Sequence, residues 1–409
     1  ELNSGAYYAS LAGGVLCAIA LLVQGGMYAV NKTRIAGIQR ELRAAGWPSS
    51  LQELKTAYEQ PGAAGVTLAE LYDRAFRFID RLEDSIDPAT PIMGRQAQSL
   101  EAGKPMDAAA LQRCDAVLKA HAEALSLLHE AATGKPVCFE LDFNEPATMG
   151  MGYLHDLRAA HRLLYMEAIV AAQENRPDDA AKSLQAQINS LHAVDNAPFL
   201  IWQLSRSGCA GMVLTAVNTC VNLTAFTPAQ LDALQSQLST LRTKEGFREA
   251  LKGDCALGLA LSDLPFYSPG LFVSGSIADD IKRRFVSIQE EVAALDAPVP
   301  VDRVSSKEPL VGAFMLSYTM SLASERCAVA ALAVLRYRAE KNTLPGALQE
   351  LVPAYLAEEP IDPFDGQSLR YRATDGGGFV VYSVGSDKID NNGVVEGSAM
   401  REIAFQLLH

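Results

Sequence analysis

The chain has 409 residues, 49% of them hydrophobic and 20% charged; this excludes a disordered chain and allows two or three folded domains. The net charge is −13 and the longest basic run is Lys282-Arg283-Arg284, which excludes nucleic acid as a partner, since its binding needs clustered Lys and Arg. The seven cysteines form no CxxC pair and no zinc spacing.

The first element is Leu2 to Asn31, which holds no Asp, Glu, Lys, Arg or His. Ala6 to Val30 matches the roughly 20 apolar residues that cross a bilayer. Tyr7, Tyr8 and Tyr28 sit at its ends as interfacial aromatics do. Gly13, Gly14, Gly25 and Gly26 suit close helix packing in a membrane better than a helix in water. The alternatives are a buried core helix, which would be shorter with polar positions, and a signal peptide, which is removed. We therefore expect residues 1–31 to be a transmembrane anchor. Lys32, Arg34, Arg40 and Arg43 follow it and only Glu1 precedes it. By charge alone the C-terminal side would face the cytoplasm, although long domains translocate despite such flanks.

From Asn31 the pattern is helical to Gly46. Pro48-Ser49-Ser50 then starts a helix. Leu68, Leu71, Tyr72, Ala75, Phe78, Ile79 and Leu82 share one helical face, and a further helix is expected over Asp107–Ala132. Val137, Phe139, Leu141 and Phe143 alternate as in a short extended piece. Helices are then expected at Leu154–Asn175, Ala180–Ala193, Leu200–Leu223, Ala229–Leu241, Lys244–Leu264 and Ile277–Leu295. Thr227-Pro228 is a helix start with Pro in its first turn. About nine helices joined by short loops make residues 32–300 a body of helical hairpins.

Beyond the break at Ala297–Asp302, Val311–Lys341 reads as one long helix with Leu316, Met320, Ala323, Cys327, Ala330 and Val334 on a seam. A short helix through Tyr355 follows. The period then changes to two, giving strands at Ser368–Arg372 and Phe379–Ser383 about the turn Thr374–Gly378. The predicted fold class is mainly α, with a small α+β unit over 311–409 that carries an antiparallel sheet.

The C-terminal stretch contains Tyr337, Leu344-Pro345, Leu351-Val352, Asp362-Pro363-Phe364-Asp365-Gly366, and Tyr382-Ser383-Val384-Gly385-Ser386-Asp387 followed by an acidic loop to Gly393. In order and spacing this resembles the globular part of type II secretion major pseudopilins. The likeness covers about seventy residues, under a fifth of the chain. It implies calcium in the final loop, with Asp387 matching the family's aspartate and Asp390 and Asn392 approximating later ligands. Calcium takes six to eight oxygens on a turning loop, and these residue types supply oxygens close together. The alternative is an Asx-rich turn without metal. Pseudopilins have a methylated Phe start and a Glu inside their membrane segment. This chain has neither, and some 280 residues separate its anchor from the tail. The whole layout resembles large single-pass envelope proteins of planctomycetes and verrucomicrobia. That resemblance implies a bacterial inner-membrane location with the large C-terminal part in the periplasm, and it outweighs the local charge count.

No catalytic motif stands out. His155 and His161 are six apart and His121 and His129 eight apart, neither being the i, i+4 pair with Glu that zinc hydrolases use. Glu123, Glu130, Glu140, Asp142 and Glu145 are an acidic patch, but spacing alone makes no catalytic carboxylate pair. The expected function is a non-enzymatic scaffold or interaction subunit that contacts the membrane and other envelope proteins. The alternatives are a periplasmic binding module that takes a peptide or polymer in a groove between helices, or an enzyme with an unrecognised helical site.

Overall fold

The computed structural model describes residues 32–59, 63–79, 86–94, 103–145, 150–241, 243–262, 309–393 and 403–408, with isolated positions 283, 286 and 290. The anchor predicted for Ala6–Val30 lies outside these residues, as does most of the helix expected over Ile277–Leu295.

Within them the chain is mainly helical with one small antiparallel sheet. Helix α1 covers residues 32–44 and stops at Gly46, whose φ of +72° favours glycine. Helix α2 is Leu51–Tyr58, capped by Ser50 accepting from the Glu53 amide while the Glu53 carboxylate accepts from the Ser49 amide and hydroxyl. Helix α3 is Ala63–Ile79. The helix expected over Asp107–Ala132 is instead two, α4 (Ala108–Ala120) and α5 (Ala122–Ala131). His121 breaks it, with φ −115° and ψ 24° and its ring nitrogen 2.9 Å from the Val117 carbonyl.

The segment after α5 alternates in burial as its sequence suggests, with Val137, Phe139 and Leu141 inside. It forms no strand, because its backbone partner is the Ala193 carbonyl rather than a ladder. Helix α6 is Met151–Gln173 and α7 is Pro177–Ser190, which begins with Pro and carries Asp178 and Asp179 in its first turn. A 3₁₀ turn at Leu191–Val194 leads to α8, Leu200–Leu223. Helix α9, Pro228–Leu238, has the Thr227–Gln230 capping box, and α10 is Thr243–Ser262.

Helix α11, Pro309–Lys341, spans 33 residues, about 50 Å. Its Gly312–Lys341 portion is long and apolar enough to cross a membrane, yet 67% of its most apolar window is buried inside the protein. The reason is packing on several sides. One face meets α8 and α9, and another meets the sheet. Ala328, Ala331, Leu332 and Ala333 are fully buried beside the expected seam residues Cys327, Ala330 and Val334. A helix apolar all round is a core helix when the protein surrounds it.

The short helix expected through Tyr355 is a 3₁₀ turn at Leu348–Leu351. The sheet runs β1 (Arg370–Ala373), β2 (Phe379–Ser383), β3 (Ile403–Leu407), antiparallel throughout, with Tyr371 opposite Val381 and Val381 opposite Phe405. β3 is a third strand that the sequence reading did not include. β2 is buried along its whole length, as a central strand on a helix should be. One core cluster therefore includes residues of α6–α9, α11 and the sheet, while a second gathers the rings of Tyr58 from α2, Tyr72 and Phe76 from α3, Phe139 from the segment after α5 and Trp202 from α8. All six described cysteines are free.

Candidate functional site

Three places concentrate polar chemistry. The first is the C-terminal loop. Asp362 is fully buried, and its carboxyl accepts from the Phe364 amide (2.9 Å), the Ser383 hydroxyl (2.9 Å), the Val384 amide (2.9 Å) and Arg370 (3.4 Å). Four donors offset the cost of burying the group. The Gly385 amide in turn donates to Ser383 Oγ at 3.2 Å. The Asp-Pro-Phe and Tyr-Ser-Val-Gly motifs are thus one hydrogen-bonded unit.

The loop that follows holds all three residues singled out as ligands. Asp387 Oδ1 accepts from the Ile389 amide at 3.1 Å. Asp390 Oδ1 accepts from the Asn392 amide and from the Tyr382 hydroxyl, both at 2.9 Å. These are Asx turns. Lys388 and Asn392 lie in the left-handed region at φ +57° and +62°. Gly393, at φ +78°, has no room for a Cβ, which would come 3.0 Å from Tyr382 and Val380. The donor set is oxygen only, as a hard cation requires. Each aspartate spends one oxygen on its own turn, and the Asn392 carbonyl accepts from Arg372 at 2.9 Å. The second carboxylate oxygens of Asp387 and Asp390 and the Asn392 amide oxygen are the groups a calcium ion would use, and carbonyls or water would complete its shell. Among the described residues no group of three or more His, Cys, Asp or Glu is placed to hold a metal.

The second place is an open groove of about 780 Å³ between α4–α5 and α6–α7. Its centre is Glu167 of α6. Oε2 of that residue is 2.7 Å from His129 Nε2 of α5 and 2.8 Å from Ser183 Oγ of α7. Leu118, Ala122 and Leu125 give the groove an apolar strip. Of the acidic patch noted in the sequence, only Glu130 lines it. Sequence reasoning missed this site because His129, Glu167 and Ser183 come from three helices. Of the two histidines noted eight apart in the sequence, His129 lines the groove and His121 stands at the break between α4 and α5.

The third place is the joint between α7 and α8. His192 Nδ1 is 2.7 Å from Asp195, Arg206 is 3.3 Å from the same carboxylate, and all three side chains are buried. Arg206 Nε also donates to the Leu191 carbonyl at 3.2 Å, and His161 Nε2 meets Ser190 Oγ at 3.1 Å. Burial, with the Arg206 charge, pushes His161 down to about 3, so its imidazole is neutral across the ordinary pH range. Arg206 is the only charged residue of α8, and its partners anchor the turn that starts that helix. Helix α10 closes on the joint through Gly246 and Gly253. A Cβ at Gly253 would stand 1.8 Å from the Pro198 carbonyl, and one at Gly246 would stand 2.9 Å from Gln203. The side chains of His192, Asp195 and Arg206 are buried and tie the turn between α7 and α8 to the start of α8.

Comparison with protein families, with curated proteins and with solved structures finds no match to this chain.

Proposed function

We propose that the protein is a non-enzymatic, membrane-anchored subunit of a bacterial envelope complex, held by residues 1–31 in the inner membrane, with its helical body and α+β tail in the periplasm as a scaffold. The observation that carries this reading is the sharing of α11 between the helical body and the sheet. A body and tail built on one core hold a fixed mutual geometry, which is what a scaffold supplies to its partners. The pseudopilin-like motifs support the envelope location. The loop of Asp387, Asp390 and Asn392 binds one calcium in this reading, and the ion stiffens a segment in which Ile389 is the one large apolar side chain and is exposed.

Purification of the intact protein from its native membranes in mild detergent tests the scaffold. The expected result is a co-purifying subunit at fixed stoichiometry. A lone chain that turns over a substrate overturns it. The second reading, a binding module for a peptide or polymer, is favoured by the groove around Glu167, whose volume of about 780 Å³ falls in the range of ligand clefts.

A further inference from the structure

The groove between α4–α5 and α6–α7 has acidic capacity that the described residues do not use. Two of its cations are already engaged: Lys119 pairs with Asp115 at 3.5 Å, and Arg176 pairs with Glu174 and Asp179. Glu167 receives both His129 and Ser183 on the single oxygen Oε2. Held by two donors, its other oxygen Oε1 has a set direction and no partner among the described residues. Glu130, exposed on the facing wall formed by α5, has no hydrogen bond or ion pair among the described residues either. Against these two carboxylates stands one unengaged cation, Lys182. Beside them runs the apolar strip of Leu118, Ala122 and Leu125.

We propose that this groove binds a peptide through a cationic side chain, with the ammonium or guanidinium at Glu167 Oε1 and Glu130 and the methylene stem along half-buried Leu118 and exposed Ala122, above the buried Leu125. The inference rests on the binding-module reading and names its ligand chemistry. Lys and Arg side chains combine an apolar stem with a charged head, and this is the pairing the groove offers. Charge-assisted hydrogen bonds are the stronger kind. A carboxylate already fixed by protein donors loses little freedom when it forms one more. A groove of about 780 Å³ is larger than one side chain needs, which favours a peptide over a lone amine.

The test uses the full chain in detergent and fluorescence anisotropy with a labelled peptide alternating Leu and Lys. A counterpart with Glu in place of Lys and unlabelled spermidine as competitor complete the probes. Glu130→Gln and Glu167→Gln should each weaken the Lys peptide about tenfold or more. Glu358→Gln, which removes the same charge at an exposed site outside the groove, should leave binding unchanged. Glu130 has no hydrogen bond or ion pair to lose among the described residues, so that variant reads the groove even if Glu167→Gln lowers the melting temperature.

Equal weakening by Glu358→Gln would reduce the binding to general attraction for an acidic protein and overturn the inference. Displacement of the peptide by spermidine at lower concentration would overturn the peptide and assign the site to free amines. Binding of the Glu peptide as tightly as the Lys peptide, sensitive to Lys182→Gln, would overturn the cation specificity while leaving a binding module. Failure of both peptides to bind would sink the inference and the binding-module reading together.

Discussion

The side-chain amide of Asn222 donates to the Gln406 carbonyl at 2.8 Å, joining α8 to β3 across 184 residues of sequence. Its oxygen accepts from the Leu408 amide at 2.9 Å, and Asn218, one turn earlier, accepts from the Gln406 amide at 3.1 Å. Two asparagines on a helix thus take the hydrogen bonds that a further strand would have taken. An edge strand with unpaired backbone groups is a template for aggregation, and here the helix covers it. Asn222→Leu keeps the bulk and removes both bonds. We expect a loss of about 1 to 3 kcal/mol in denaturant unfolding, with faster amide exchange at Leu408.

Asp362→Ala removes the acceptor for four donors at once and leaves the Val384 amide and Ser383 hydroxyl buried beside an empty space. Breaking such a buried network costs about 3 kcal/mol or more. Hydrogen exchange should show Val384, Gly385 and the loop beyond them opening while α6 and α7 keep their protection. Unchanged exchange at Val384 would refute the role of Asp362 as the loop's anchor.

The calcium proposal is tested by melting the full chain with and without chelator. Binding to the folded state alone stabilises by mass action, so chelation should lower the melting temperature, and Asp387→Ala should remove most of the difference. Calorimetry with no heat of calcium binding, together with identical melting in chelator, would leave a plain Asx-rich turn.

Asp254 of α10 faces the start of α8, where the Leu200 backbone amide favours its charged form and burial opposes it more strongly. Burial pushes its carboxyl up from 3.8 to about 7. An acid with a raised pKa holds its proton in the folded state after the unfolded chain has lost it, so stability falls as pH rises. The fall runs from about pH 4 to pH 7 and is complete above. Asp254→Asn keeps the size of the side chain and removes the titration. Its stability curve should be flatter across this window, and it should be the more stable chain at pH 8 by chemical denaturation.

The proposed orientation predicts that Asp375→Cys, in the exposed turn between β1 and β2, reacts with a membrane-impermeant maleimide from the periplasmic side of intact cells. The described native cysteines are buried or half-buried, so the new thiol dominates the signal. Labelling only after the inner membrane is opened would reverse the topology.

Local chemistry made much of the helical fold legible. Thr227-Pro228 marked its helix because the cap is read from neighbouring residues, and Leu200–Leu223 was bounded correctly by its apolar run. The break at His121 was not legible, since Ala120 and Ala122 continue a good helical pattern and the break depends on the ring folding back to Val117. β3 escaped notice because its five residues take their meaning from β2 and from Asn218 and Asn222, all distant in sequence. Asp387, Asp390 and Asn392 could be grouped because one loop carries them. The Glu167 groove could not, because its walls meet only after α4–α7 have packed.

The covering of β3 by α8 also bears on how the chain is made. Residues 218–222 are finished long before residues 403–408 emerge, so the sides of α8 and α11 that meet β3 wait uncovered until that strand arrives. A chain terminated before Ile403 never covers them. It would present Asn218 and Asn222 without their backbone partners, and Val381 without Phe405 opposite it. Such a product carries its own mark for quality-control proteases, and only a chain translated beyond β3 can hide it.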